Sequence, residues 1–229
     1  MPDDRALAVR ETAIGGSRAR ASEGVVFVVE AFRLSDGQRL FEYREAASGE
    51  LPESHEKHNL ATPTPVTDGE RVYAYFGNLG LFCFDLEGKA LWSKRFAPVP
   101  TRFGWGTAAS PVLHRDRLYL INDNEQQSYL LALNKRTGEQ IWRVERDEKS
   151  NWSTPFIWEN GARTEIVTPG TGKTRSYDLN GKLLWWLEGA SGITIATPYA
   201  ADGLLYVSSG YVGSPLRPLY AIRPGAEGD

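Results

Sequence analysis

An all-β fold, a β-propeller of four-stranded antiparallel blades, is predicted by three observations. One phrase recurs along the chain, its runs are short and strand-like, and a large aromatic closes each copy. The phrase opens with Ser or Thr before proline, at Thr64-Pro65, Ser110-Pro111, Thr154-Pro155 and Thr197-Pro198, so the prolines lie 46, 44 and 43 residues apart. Eight residues after three of these prolines a tyrosine sits in a β-rich run: Tyr73, Tyr119 and Tyr206. The remaining copy carries a small insertion, Asn160-Gly161, and places Glu165-Ile166-Val167 there. A Gly turn followed four residues later by a ring ends three copies: Gly88 to Trp92, Gly138 to Trp142 and Gly181 to Trp185. Gly37 to Phe41 belongs to a truncated first unit, and the last unit runs to Gly225 without its aromatic. No segment holds a 3.6-residue apolar period over a helical length, whereas alternating β-branched and aromatic runs bounded by Gly, Asn and Asp recur throughout. A β-solenoid has shorter repeats and fits less well.

The expected layout is an irregular segment over 1–24, a partial blade over 25–50, blades over about 60–98, 107–147 and 152–189, and a partial blade over 194–229. Three full and two partial units do not fill a large ring, so an incomplete propeller, part of a longer reading frame with open blade edges available for association, is expected. One sheet cannot cover both of its faces. Each outer strand therefore needs a bulky anchor inserted toward the neighbouring blade, and Phe41, Trp92, Trp142 and Trp185 are assigned that role.

Composition narrows the function classes. At 229 residues, with 41% hydrophobic and 24% charged, 23 Gly and 13 Pro, the chain is neither collagen-like, disordered nor coiled-coil. Lys and Arg number 26 against 29 Asp and Glu, a net charge of −3, so no uniform positive field exists to hold nucleic acid. A single cysteine, Cys83, permits no intrachain disulfide and no CxxC site; inside Leu81-Phe82-Cys83-Phe84 it is expected to be a buried small hydrophobe. The longest apolar run, Val25 to Val29, is far short of the ~18–20 residues of a membrane helix. Met1-Pro2-Asp3-Asp4 begins no signal peptide, and by that feature alone the chain would be cytoplasmic.

The run Ala132-Leu133-Asn134-Lys135-Arg136-Thr137-Gly138-Glu139-Gln140-Ile141-Trp142 resembles the tryptophan-docking repeat of the pyrroloquinoline-quinone (PQQ) propellers, with Ala, Asn, Gly and Trp at the repeat's fixed places. Weaker copies run from Ala31 to Phe41, with Arg33 and Phe41 substituted, and, one residue shorter, from Asp85 to Trp92 and Asp178 to Trp185. The resemblance covers roughly residues 25–225. It implies one of two groups: quinoprotein dehydrogenases that bind PQQ and calcium, or non-catalytic propellers such as the outer-membrane protein assembly factor BamB and BamB-like proteins. The dehydrogenases would need a vicinal Cys-Cys disulfide that lone Cys83 cannot supply, and no motif places calcium ligands or a catalytic Asp. The resemblance therefore implies a BamB-like scaffold for protein–protein interaction in the periplasm or cell envelope, without catalytic residues, cofactor or metal. A fragment of a PQQ-dependent dehydrogenase and a ligand- or glycan-binding propeller are the alternatives.

Local motifs give way to simpler readings. Gly170-Thr171-Gly172-Lys173-Thr174 resembles the end of a phosphate loop, but Val167 replaces the first glycine and a strand-like run follows, so a hairpin turn is expected. His55-Glu56-Lys57-His58 is one residue short of a zinc helix motif and is expected to be a loop; Asn122-Asp123-Asn124-Glu125 is expected to be a polar turn rather than a calcium loop. His114, beside Arg115-Asp116, is expected in an exposed turn. In an up-and-down blade the loops leaving the outer strand and those joining the second and third strands emerge on one side, which predicts a binding face there. Arg102, Trp105, Asn124, Glu125, Lys149, Asn151, Trp152, Lys173 and Tyr211 form its candidate rim, suited to gripping a protein or an extended peptide.

Overall fold

The computed structural model describes residues 5–13, 25–47, 51, 55, 60–77 and 79–228. Within these the chain is all-β, with a single 3-10 turn at Arg102–Gly104. No helix of the described residues is long and apolar enough to cross a membrane. The chain divides into two compact units, Met1–Leu113 and His114–Asp229.

In the first unit β1 (Arg5–Ala13), β2 (Val25–Arg33) and β3 (Arg39–Ala46) form a three-stranded antiparallel sheet, and β4 (Val66–Thr67), β5 (Arg71–Phe76), β6 (Gly80–Asp85) and β7 (Ala90–Arg95) a four-stranded one. The irregular segment expected over 1–24 contains a strand. β1 pairs with the whole of β2, from Arg5 opposite Arg33 to Ala13 opposite Val25. Its run Arg-Ala-Leu-Ala-Val-Arg-Glu-Thr-Ala has little β-branched or aromatic content, so pairing with a strongly β-prone neighbour, not its own propensity, sets its conformation. The two sheets meet through aromatic rings, with Phe27 against Phe76 and Tyr43 against Phe84, each pair at 4.8 Å between centroids.

The second unit holds a four-stranded sheet of β8 (Val112–His114, which straddles the boundary), β9 (Arg117–Asn122), β10 (Ser128–Asn134) and β11 (Gln140–Arg146). A second comprises β12 (Phe156–Glu159), β13 (Thr164–Pro169), β14 (Lys173–Tyr177) and β15 (Leu183–Glu188). The last, of three strands, comprises β16 (Tyr199–Ala201), β17 (Leu204–Ser208) and β18 (Leu219–Ile222). Trp158, Val167, Trp185, Leu205 and Val207 form a core shared by the second and third of these sheets.

A cross-strand rung explains the repeated phrase. Phe41 faces Ala31, Trp92 faces Cys83, Trp142 faces Ala132 and Trp185 faces Ser176, always an aromatic of the last strand in its sheet against a small residue of the strand before it. The small residue leaves room for rings on either side of it to meet: Tyr73 lies 6.0 Å from Trp92 and Tyr119 lies 5.9 Å from Trp142. Each of the four rungs is followed at once by a register shift, after Ala31, Cys83, Ala132 and Ser176. The chain then turns around an Asp or Asn whose side chain accepts from later backbone amides: Asp85 from Glu87 and Lys89, Asn134 from Arg136 and Thr137, and Asp178 from Asn180 and Lys182.

At two of these turns the closing glycine receives the ring of the preceding blade. A Cβ on Gly88 would stand 2.4 Å from the Phe41 ring, and one on Gly181 3.2 Å from the Trp142 indole. Trp142 also donates its indole N–H to the Leu179 carbonyl at 3.0 Å. Trp185 is buried more deeply and donates instead to the Glu165 carboxylate at 2.6 Å. Cys83 is fully buried, and burial pushes its thiol up to about 12.

Candidate functional site

Four loops converge at one end of the second unit, because up-and-down strands deliver the β9–β10 and β13–β14 hairpins and the β11–β12 and β15–β16 connections to the same side. Gly170-Thr171-Gly172 is the hairpin turn between β13 and β14, closed by the Gly170 amide donating to the Lys173 carbonyl at 2.8 Å. Asn122-Asp123-Asn124-Glu125 likewise opens a turn: the Asn124 side-chain carbonyl accepts from the amides of Gln126 and Gln127 at 2.8 and 2.9 Å.

Beneath these loops lies a buried ionic lattice. The Arg146 guanidinium meets the Asp123 carboxylate through two nitrogens, at 2.9 and 3.1 Å, and donates on to the hydroxyls of Thr168 at 2.8 Å and Tyr177 at 3.0 Å. Asn151 donates to the same Asp123 carboxylate. Beside it Arg175 pairs with Glu148, whose other oxygen accepts the Thr171 amide at 2.7 Å. Burial pushes the Asp123 carboxyl upward against the opposing pull of Arg146 and Asn151, while burial and the Arg146 charge lower Arg175. Every charge in this layer has an opposite partner at contact distance, which the desolvation cost of an isolated ion demands.

The lattice ties the loops to one another. Ser150 donates to Glu125 at 2.7 Å, Lys149 donates to the Glu125 carbonyl at 3.2 Å, and the Trp152 amide donates to the Thr194 carbonyl at 3.0 Å. Thr194 in turn donates its hydroxyl to the Gly170 carbonyl at 2.9 Å.

The rim residues part company here. Asn124, Asn151 and Trp152 are buried and belong to the scaffold of the loops, so they cannot line a surface rim; the polar side chains satisfy backbone groups, and Trp152 packs inward. Lys149 is exposed, while Glu125, Lys173 and Tyr211 are half-buried, with Lys173 paired to Glu188 at 2.9 Å. Arg102 and Trp105 lie in the first unit, flanking Phe103, which is 59% exposed. The Arg102 guanidinium stands 5.1 Å over the Phe103 ring and Trp105 packs 5.2 Å from it. Phe103 has a left-handed φ of 57°, a strained setting for a non-glycine residue that holds its ring out on the turn.

Asp123, Arg146, Glu148 and Arg175 were not singled out as a cluster by sequence reasoning. Only Asp123 carries a signal, as part of the polar run at 122–125; the arginines sit on strands, and their residue type is ordinarily exposed. His114 is a further correction: it ends β8, its side chain is 11% exposed, and its Nδ1 lies 3.7 Å from Glu159. The Glu56-Lys57-His58 part of the zinc-like motif lies outside the described residues. Among the described residues no group of three or more His, Cys, Asp or Glu is placed to hold a metal.

The family model described as outer membrane protein assembly factor BamB matches residues 7–144 and 126–217. The chain belongs to this family. Among solved structures, BamB from Moraxella catarrhalis aligns with a TM-score of 0.51 at 15% identity, over 81% of this chain and 52% of its own. The chain thus spans about half the length of that BamB. A Bacteroides caccae protein of unknown function aligns with a TM-score of 0.46 at 14% identity, over 95% of this chain and 74% of its own. No curated protein matches.

Proposed function

We propose that this BamB-family chain is a non-catalytic scaffold that binds a protein partner in the periplasm or cell envelope, with the loop end of the second unit as its contact surface. The observation that carries this reading is the pairing in the buried layer. Asp123 with Arg146 and Glu148 with Arg175 fix the 123–127, 147–155 and 170–172 loops to one another, which is what a preorganised docking surface needs. The side chains left in the outer layer, Glu125, Lys149, Lys173 and Tyr211, mix charge with an aromatic ring, as interface rims do. The family description, an assembly factor for outer membrane proteins, supports a protein as the partner and the envelope as the place. No cofactor or metal enters this reading.

Site-specific photo-crosslinking tests it. A benzophenone side chain at Tyr211 or Lys173 is expected to capture one protein species in envelope preparations, and the same probe at Arg136, in the turn at the far end of its blade, is expected to capture none. Equal capture from both ends would sink the loop-end assignment. Saturable PQQ binding with Ca²⁺ and dye-linked alcohol oxidation by the purified chain would replace the scaffold reading with the dehydrogenase one.

A further inference from the structure

The β8–β9 turn lies at the end of the second unit opposite the loop end, and a buried tyrosine beneath it lacks the acceptor that its sibling has. In the sheet β4–β7 Asp68 stands five residues before Tyr73, and its carboxylate accepts from the tyrosine hydroxyl at 3.3 Å and from the Arg71 amide at 2.8 Å. His114 holds the corresponding place in the sheet β8–β11, five residues before Tyr119. Its imidazole turns toward β12, with Nδ1 3.7 Å from the Glu159 carboxylate, and does not satisfy the tyrosine. The Tyr119 hydroxyl and the His114 Nε2 are both buried, and neither meets a hydrogen-bonding group among the described residues. Buried donors without an acceptor are costly, and the contact of Asp68 with Tyr73 shows that side chains at these two places reach one another.

The surroundings select an anion. Burial pushes the Tyr119 hydroxyl upward, and the charges of Arg117 and Arg115 oppose that push. Arg117 acts from nearby without bonding the hydroxyl: its guanidinium donates to the Leu179 carbonyl and reaches the Asn180 side-chain oxygen at 3.4 Å. Arg115 holds left-handed backbone at φ 54°, a strained setting for an arginine, where the sibling turn has Gly69. The two carboxylates of this end face water, Glu159 being 66% and Asp116 75% exposed, so neither takes the place of Asp68. The space that the sibling gives to one carboxyl group limits the ligand to a small one. Arg115 and Asp116 are exposed, which leaves a short path in from solvent.

We propose that the second unit binds a small monocarboxylate anion, of formate or acetate size, which accepts from the Tyr119 hydroxyl and from the His114 Nε2 in the place that the Asp68 carboxylate fills in the sheet β4–β7. The site is separate from the loop end and does not depend on the scaffold reading.

Sodium formate, titrated at fixed pH and ionic strength into the 229-residue chain labelled with ¹⁵N in its histidine rings, is the probe. The chain has three histidines, His55, His58 and His114, and a saturable shift of the His114 ring signals alone is expected. Tyr119→Phe keeps the ring that packs 5.9 Å from Trp142 but removes one donor, and should weaken formate at least tenfold. The melting midpoint of the parent chain should climb with formate concentration. His114→Asp, which restores the sibling's carboxylate, should melt no lower than the parent in the absence of formate and should not respond to it. A formate titration that moves no His114 signal, or moves all three histidines alike, would overturn the proposal in favour of water at the site. So would Tyr119→Phe binding formate as tightly as the parent. Should Tyr119→Phe fail to fold, the His114→Asp melts decide: a midpoint that still climbs with formate overturns the site.

Discussion

Three glycines at one repeat position test whether a ring from each blade rests on the turn of the next. Gly37, Gly88 and Gly181 all hold left-handed backbone, at φ 73°, 89° and 86°. An alanine at any of them costs the left-handed penalty, ~1–2 kcal/mol. Their surroundings then separate them. A Cβ at Gly37 meets nothing within 4 Å, one at Gly181 meets Val144 at 2.9 Å and the Trp142 ring at 3.2 Å, and one at Gly88 meets the Phe41 ring at 2.4 Å. At Gly181 the indole must give by a few tenths of an ångström, adding ~1 kcal/mol of off-rotamer strain. At Gly88 the contact involves the root of the Phe41 side chain, so backbone must move and an overpacking cost of ~1–3 kcal/mol is added. Urea denaturation of the three variants should therefore rank them Gly37→Ala mildest, Gly181→Ala intermediate and Gly88→Ala worst, with midpoints shifting at constant m. If Gly88→Ala unfolded no more easily than Gly37→Ala, the seating of one blade's ring on the next blade's turn would be refuted.

Four further outcomes follow. Cys83, its thiol raised to about 12 by burial, should resist thiol reagents at pH 8 until the chain unfolds, so the labelling rate should track denaturant. Because the thiol is raised in the fold, the stability it contributes is present below its unfolded value of 9.0 and is lost as pH climbs toward 12, which melts at stepped alkaline pH would register. Arg146→Met alone should cost ~3–5 kcal/mol by stranding the Asp123 carboxylate, and Arg146→Met with Asp123→Leu should recover much of that in a double-mutant cycle. Trp185→Phe should cost ~1.5–3 kcal/mol through the lost charge-assisted bond to Glu165, whereas Trp142→Phe, which loses a bond to a neutral carbonyl, should cost ~0.5–1.5 kcal/mol on the same melts.

The fold was legible because each blade has to solve the same packing problem with the same parts. A small residue on the next-to-last strand opposite a ring, a register shift, an Asx turn and a glycine leave a spaced signature that survives even where Phe41 stands for Trp or the turn loses a residue. β1 escaped notice because pairing with β2, and not its own residues, makes it a strand. The loop end was legible only as a direction. Counting strands brings the 123–127, 147–155, 170–172 and 189–198 connections together, but not which of their side chains turn inward. Trp152 and Asn151 have the residue types of a binding rim and are buried, while Arg146 and Arg175, by type surface residues, form the floor.

That inversion has a physical cause. A loop end assembled from four separate connections has too little apolar side chain to form a core of its own, so its backbone amides and carbonyls must find partners among side chains. Asn124, Glu125 and Glu148 meet that need, and the two buried carboxylates of this end, Asp123 and Glu148, require guanidinium donors from the strands below, Arg146 and Arg175. The arginines are therefore drawn in by the loops' hydrogen-bond demand, a property of the assembled end that no single strand's pattern carries. The same reasoning makes the lattice all-or-none. Removing Arg175 would leave Glu148 buried beside the Thr171 amide alone, so Arg175→Met should loosen the 170–172 hairpin and the 147–155 connection together, visible as faster hydrogen exchange in both. Were exchange to quicken in the hairpin and remain slow in the connection, the loops would be independently stable, and the preorganised surface on which the scaffold reading depends would lose its basis.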